Sequence, residues 1–146
     1  MTDYIRISTW PTDHANAAYE GGHFIEALQV LHGWMESRLQ QILLLQRAKL
    51  NSPDQATFER AWDMSFELSL NNIAKALFVA GLIPEDLLNR LVRFNRVRNV
   101  VIHKMFLEPY NKEYRGVPRK EYDDAFQSGL ELCELLQTME DELVSL

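Results

Sequence analysis

The sequence contains a single cysteine, Cys133, among its 146 residues. One cysteine cannot form an intramolecular disulfide, which excludes a disulfide-stabilised scaffold and a cysteine-based metal cage. Long apolar runs are absent as well, because the run from 42 to 45 falls far short of the roughly 20 residues that a membrane-spanning helix needs. The first ten residues lack the basic region and apolar core of a signal peptide. We therefore expect a cytoplasmic protein with no membrane association.

The sequence also lacks the motifs that bind nucleotides or metals. It has no glycine-rich phosphate loop, which argues against nucleotide hydrolysis. His14, His23 and His32 are spaced by nine residues, and none has a histidine or cysteine three or four positions away, so a histidine metal site is not expected. His32 and Glu36 fall on one helix face and are interpreted as a surface pair. We predict no metal and no cofactor.

Positive charge is scarce overall, with a net charge of -6, but it is concentrated in one window. Between positions 90 and 120 there are two acidic residues, Glu108 and Glu113, and nine basic ones: Arg90, Arg93, Arg96, Arg98, Lys104, Lys112, Arg115, Arg119 and Lys120. The window carries +7 and the rest of the chain -13. Any site for a polyanion should therefore lie in or beside this window. A solvated basic helix face is the alternative interpretation.

Apolar residues recur at three- and four-residue steps along most of the chain, a pattern typical of amphipathic helices. The breaks in the pattern predict helices at about 11–20, 23–49, 53–80, 84–106 and 118–145. Ser52 as N-cap and Pro53 as first residue are predicted to open the third helix, and Gly81 to end it. The segment before the last helix has no period and no hairpin signal, so we predict a loop there. The predicted fold is a single all-α domain over 1–146, an antiparallel bundle of four long helices preceded by a short one.

The predicted helix at 84–106 contains polar residues within an apolar run, "RVRNVVIHKMF" at 96–106. Its apolar face passes through Asn95 and Arg98, which interrupt it. Arg98 and His103 are five residues apart, so an ideal helix places them about 140° apart around its axis and about 7.5 Å apart along it. The residues from 100 to 102 are all β-branched, which disfavours an exposed helix face. We therefore expect this turn to pack between partners.

The stretch "RNVVIH" at 98–103 resembles the R-N-x-x-x-H form of the Arg-x4-6-His motif that marks the HEPN superfamily. The stretch "EGGHFIEALQVLHGWMESRLQQILL" at 20–44 resembles the early long helix of that superfamily, and the predicted helix order covers the whole chain. The resemblance implies a metal-independent endoribonuclease, commonly a toxin or defence component. It also implies a homodimer in which the two motifs meet in one cleft.

The resemblance assigns Arg98 and His103 as catalytic residues with Asn99 in support. Asn95 is a further supporting residue, and the RNA-binding candidates are Arg90, Arg93, Arg96 and Lys104. The residue types suit the chemistry, because histidine titrates near neutral pH and can transfer protons, while arginine stays charged beside a phosphate. One chain supplies one such histidine, so a symmetric dimer that brings two together is attractive mechanistically.

Met105 departs from the pattern of many antitoxin-paired HEPN proteins. Those proteins have a tyrosine at this position, to which a partner nucleotidyltransferase attaches adenylate. A second interpretation is a non-catalytic HEPN interaction or scaffold module that binds a nucleotidyltransferase or a larger complex. In that case Arg98 and Asn95 form a buried polar network and His103 packs near a helix end. An open groove at Arg98 and His103 favours catalysis, and sealed, internally bonded side chains favour the module.

Overall fold

The computed structural model describes residues 1–50, 54–106, 109–110, 113–114 and 116–145. Its helices are α1 (Pro11–Glu20), α2 (Phe24–Leu50), α3 (Gln55–Ser65), α4 (Leu70–Val79), α5 (Glu85–Lys104) and α6 (Arg119–Ser145). Apart from one small hairpin, all regular structure in these ranges is helical. The predicted all-α class is therefore confirmed, and α1, α2, α5 and α6 lie close to the predicted bounds.

The prediction of one continuous helix over 53–80 is wrong. The chain leaves the helix after Ser65 and starts a new one at Leu70. Ser69 is the N-cap of α4, and its hydroxyl oxygen accepts a hydrogen bond from the backbone N–H of Asn72 at 3.3 Å. Asp54 is the N-cap of α3. Ser52 and Pro53, the predicted cap and first residue, lie outside the described residues.

Side chains of α2 stabilise this break. Glu36 accepts a hydrogen bond from the backbone N–H of Leu70 at 3.0 Å, and Gln40 donates one to the backbone oxygen of Leu68 at 3.2 Å. Both bonds satisfy backbone groups that a continuous helix would have paired within itself. The helix boundary is therefore set by the local Ser69 cap together with these contacts from α2.

The predicted loop before α6 contains a short hairpin that the sequence pattern did not indicate. Strand β1 (Pro109–Tyr110) pairs with β2 (Glu113–Tyr114) in antiparallel register, with Pro109 opposite Tyr114 and Tyr110 opposite Glu113. Each strand has two residues. Two residues are too few to produce a recognisable alternation of apolar and polar side chains.

Helix α2 lies at the centre of the fold and packs against α1, α4, α5 and α6. The apolar spacing along this helix predicts one buried stripe of Phe24, Leu28, Leu31, Met35, Leu39 and Ile42. The prediction is confirmed for all but Phe24, which is half-buried at the start of the helix. None of the helices in the described ranges combines the length and apolar character needed to cross a bilayer.

Helix α6 covers α2 along its length. Arg38 of α2 forms an ion pair with Glu140 of α6 at 2.6 Å, and the Tyr122 hydroxyl donates a hydrogen bond to the backbone oxygen of Phe24 at 2.6 Å. Between these two ties, Gly129 lets α6 approach its neighbours closely. A Cβ atom at Gly129 would lie 2.6 Å from the ring of Phe94 and 2.9 Å from Leu31.

Candidate functional site

Helix α5 positions the predicted motif between α2, α4 and α6. Glu85 and Asp86 lie in its first turn and Lys104 in its last, so charges of both signs complement the helix dipole. Leu91, Phe94 and Val101 of this helix are buried in the core. The packed face fixes the orientation of the helix, and the polar motif residues emerge along its edges.

The Arg98 guanidinium is oriented by neutral amide oxygens. Its Nη2 and Nε donate to Oε1 of Gln29 at 2.8 and 3.3 Å, and its Nη1 donates to Oδ1 of Asn99 at 2.9 Å. The side chain is half-buried against α2. Within the described ranges Arg98 has no carboxylate partner. Its positive charge is therefore positioned but not neutralised, which is what an anion-binding arginine requires.

His103 is solvent-exposed and forms no hydrogen bond with Arg98, Gln29 or Asn99. In the part of the chain that the structure describes, its ring makes no hydrogen bond or ion pair. Asn99, one helical turn before it, lies on the same edge of the helix and is half-buried. The structure thus joins Arg98 to Asn99 by a hydrogen bond and leaves His103 free to meet a ligand or a second chain.

Asn95 is hydrogen-bonded to His32, and the predicted surface pair of His32 with Glu36 is wrong. Oδ1 of Asn95 accepts a hydrogen bond from Nε2 of His32 at 3.1 Å. His32 is half-buried between α2 and α5, so it does not form the predicted surface pair with Glu36. Glu36 instead bonds the backbone of Leu70.

The surroundings of His32 lower its pKa and so favour its neutral form. Burial is the main cause of its lowered pKa, and the nearby positive charge of Arg98 lowers it further. The Glu36 carboxylate and the hydrogen bond to Asn95 act in the opposite direction but are weaker. The sequence does contain a signal that these α2 residues share one face. Gln29, His32 and Glu36 follow the i, i+3, i+7 spacing beside the buried stripe.

The lowered pKa of His32 predicts a loss of stability in mild acid. As the pH falls below about 6.5, the unfolded chain takes up a proton at this histidine that the folded protein resists. The free energy of unfolding contributed by His32 is therefore complete above that pH and is lost toward the lower folded-state pKa. Urea unfolding at pH 7.5 and 5.5 should show a smaller acid loss for His32→Gln than for wild type.

The control for this measurement is His23→Gln. His23 is exposed and immediately precedes α2. Its substitution should leave the pH dependence of unfolding as in wild type. An identical acid loss in wild type and His32→Gln would show that His32 is not the responsible group.

The predicted RNA-binding residues differ in exposure and in whether an acidic side chain pairs with them. Arg90 is half-buried and forms an ion pair with Glu131 at 3.2 Å. Arg93, Arg96 and Lys104 are exposed, and none forms an ion pair with another described residue. These three form the exposed cationic surface of α5.

The rest of the basic window contributes less free charge. Arg119 and Lys120 pair with Asp123 and Asp124 one turn further along α6, each at 2.9 Å. Lys112 and Arg115 lie outside the described residues. The unpaired positive charge of the described window is therefore centred on α5.

Other chemistry at the site is limited by its residues. Cys133 is buried, and burial raises the pKa of its thiol to about 12, so it has no thiolate character at neutral pH. Among the described residues no three histidine, cysteine, aspartate or glutamate side chains come together in a group able to hold a metal ion. The available groups are therefore an imidazole, a guanidinium and amides.

No family model, curated protein or solved structure matches the chain.

Proposed function

We propose that the protein is a metal-independent endoribonuclease of the HEPN type that acts in a toxin–antitoxin or defence system. The observation that carries the proposal is the state of Arg98, whose guanidinium is fixed by Gln29 and Asn99 without a neutralising carboxylate. The same helix exposes His103 one turn beyond Asn99. An anion-ready arginine and a free imidazole are the two groups that RNA cleavage without a metal needs.

The reaction proposed for this site is an intramolecular transesterification, in which a phosphate of the RNA strand moves from the 5′-oxygen to the 2′-oxygen. The 2′-oxygen loses its proton to a base and bonds to the adjacent phosphorus, and the bond from phosphorus to the 5′-oxygen breaks. A general acid protonates the departing 5′-oxygen, leaving a cyclic phosphate on one product. His103 transfers protons, Arg98 stabilises the charge on the phosphorane oxygens, and Asn99 keeps Arg98 in place.

A homodimer completes this proposal. One chain supplies one His103, whereas the reaction uses a base and an acid, so two chains related by a twofold axis supply both. The cleft would form where the exposed edges of two α5 helices meet. The order of α2, the α3–α4 pair, α5 and α6 is compatible with the proposed antiparallel HEPN bundle.

The proposal predicts cleavage of single-stranded RNA by wild-type protein with EDTA present. Binding should weaken steeply as salt rises, because Arg93, Arg96 and Lys104 would release counterions from the phosphates they contact. Affinity for a non-cleaved 2′-deoxy analogue, measured at several salt concentrations, should fall less steeply for Arg96→Gln than for wild type. Arg60→Gln is the matched control, since Arg60 is an exposed arginine on α3.

Two outcomes would count against this proposal. A salt dependence of RNA affinity that is flat, or equally steep in Arg96→Gln and Arg60→Gln, would show that α5 does not contact phosphates. Light scattering that gives a monomer near 17.0 kDa under conditions of full activity would rule out a cleft shared by two chains.

A non-catalytic interaction module is the second candidate, and one observation favours it. Helix α3 and its C-terminal end expose apolar side chains, with Trp62 37%, Met64 55%, Phe66 51% and Leu68 37% accessible. Such a surface is typical of protein partners. The partner would be a nucleotidyltransferase, a cognate antitoxin or a larger complex. Wild-type protein that cuts no RNA with or without metal ions, but binds such a partner, would decide for the module.

A further inference from the structure

A groove of about 500 Å³ lies between α5 and α6. Its floor consists of the edges of core side chains, Phe94, Val97 and Ala125. The volume falls in the range of small-molecule sites, which are typically about 300–1,000 Å³. The α5–α6 groove therefore has the size and the apolar floor for one flat ring system.

The two walls of the α5–α6 groove differ in charge. Arg93 and Arg96 form the α5 wall and have no ion-pair partner among the described residues. On the α6 wall, Lys120 and Asp124 neutralise each other at 2.9 Å. Glu121 of the α6 wall is exposed, and no described residue pairs with it. The groove thus offers two free cations on one side and one free carboxylate on the other.

The position of the groove relates it to the proposed reaction. Arg96 and His103 are seven residues apart on one helix, which places them on nearly the same edge and about 10 Å apart along the axis. A strand whose phosphate lies beside His103 would pass Arg96 within a short distance. A neighbouring nucleotide could then place its phosphate on the arginines and its base in the groove.

We propose that the α5–α6 groove binds a guanine base of single-stranded RNA beside the cleavage site. Arg93 and Arg96 bind the phosphate of that nucleotide, and its base lies on the apolar floor. The Glu121 carboxylate accepts hydrogen bonds from the ring N–H and the amino group of guanine. Guanine is the RNA base that presents two adjacent donors on its Watson–Crick edge, so a single carboxylate bonds both. The inference rests on the proposed ribonuclease function for its biological ligand.

The charges also explain why other occupants fit less well. A fatty acid or another simple amphipathic anion would leave the Glu121 carboxylate beside apolar or negative groups. Inorganic phosphate would use Arg93 and Arg96 but leave the apolar floor uncovered. A guanine nucleotide matches all three features at once.

The test is a calorimetric titration of wild-type protein with guanosine, adenosine, cytidine and uridine 5′-monophosphates and with inorganic phosphate. The guanosine nucleotide should bind about tenfold or more tightly than the others, as expected for a two-bond contact to one base. Glu121→Gln should remove that preference, and Arg96→Gln should weaken all four nucleotides about equally. Glu142→Gln changes a carboxylate elsewhere on α6, where it is exposed, and should leave every affinity as in wild type.

Three outcomes would overturn the guanine site. They are equal affinities for the four nucleotides, inorganic phosphate that binds as tightly as the guanosine nucleotide, and no saturable binding at millimolar concentration. An RNA cleavage assay with guanine replaced by hypoxanthine, which lacks the amino group, separates the two proposals. Guanosine preference in the titration without any RNA cleavage would keep the groove assignment and reject the ribonuclease. RNA cleavage that is indifferent to guanine and to Glu121→Gln would keep the ribonuclease and reject the groove assignment.

Discussion

His103→Ala is expected to abolish the proposed RNA cleavage while the thermal midpoint stays within a few degrees of wild type. A positioned acid or base contributes about 10²–10⁴-fold to a rate, so its removal should lower the proposed cleavage toward the uncatalysed background. The stability should persist because the imidazole is exposed at the end of α5 and makes no hydrogen bond with any described residue. Cleavage of labelled RNA and thermal unfolding should be measured on the same preparation.

The matched control is His23→Ala, which removes another exposed histidine far from α5 in the sequence. It should retain wild-type cleavage. If His103→Ala cuts RNA as fast as wild type, the motif is not catalytic and the observed cleavage belongs to other residues or to a contaminant.

Arg98→Ala provides the second half of this test. It should also eliminate the proposed cleavage and weaken binding of a phosphate analogue, since it removes the charge proposed to stabilise the phosphorane. Its stability cost should be modest, because the partners of Arg98 are the neutral amides of Gln29 and Asn99, and Gln29 is already exposed. A loss of several kcal/mol, as when a buried ion pair is broken, would indicate a structural arginine.

Gly129→Val is expected to cause the largest loss of stability, about 3 kcal/mol. Its Cβ would lie 2.6 Å from the Phe94 ring and 2.9 Å from Leu31, and both of those side chains are almost fully buried. Overpacking of a filled core typically costs about 1–3 kcal/mol, and the two further methyl groups leave no room for relief. Urea unfolding gives the free energy directly.

Gly33→Val is the control, since Gly33 is an exposed helical glycine whose added Cβ would meet nothing within 4 Å. Glycine and valine differ by only a few tenths of a kcal/mol in helix propensity, so this variant should remain close to wild type. Equal destabilisation of both variants would mean that helix propensity, and not close packing of α6, governs the result.

The helices were largely predictable because their apolar spacing and their glycine and proline breaks are local signals. The break before Leu70 was not, since the segment 66–69 contains neither glycine nor proline. Its stabilising bonds come from Glu36 and Gln40, about thirty residues earlier in the chain. A boundary set by another helix cannot be read from the periodicity of its own segment.

In the candidate site, too, the local features could be predicted from the sequence and the long-range contacts could not. The presence of Arg98, Asn99 and His103 on one helix was predictable from spacing. The partners of that helix were not, because the bonds from Arg98 to Gln29 and from His32 to Asn95 join residues more than sixty positions apart. Helix geometry alone gives the angle between Arg98 and His103 but not the direction in which the long arginine side chain turns.

The central position of α2 has a consequence for the order in which the protein can fold during synthesis. Helix α2 leaves the ribosome early, but its ion pair from Arg38 to Glu140 and the hydroxyl bond from Tyr122 to Phe24 join residues about one hundred positions apart. Until α6 has been synthesised, the Leu28–Leu31–Met35 stripe lacks one of its covering helices and stays available to chaperones. The closing of this long chain segment, rather than the formation of any helix, should therefore limit the rate of folding.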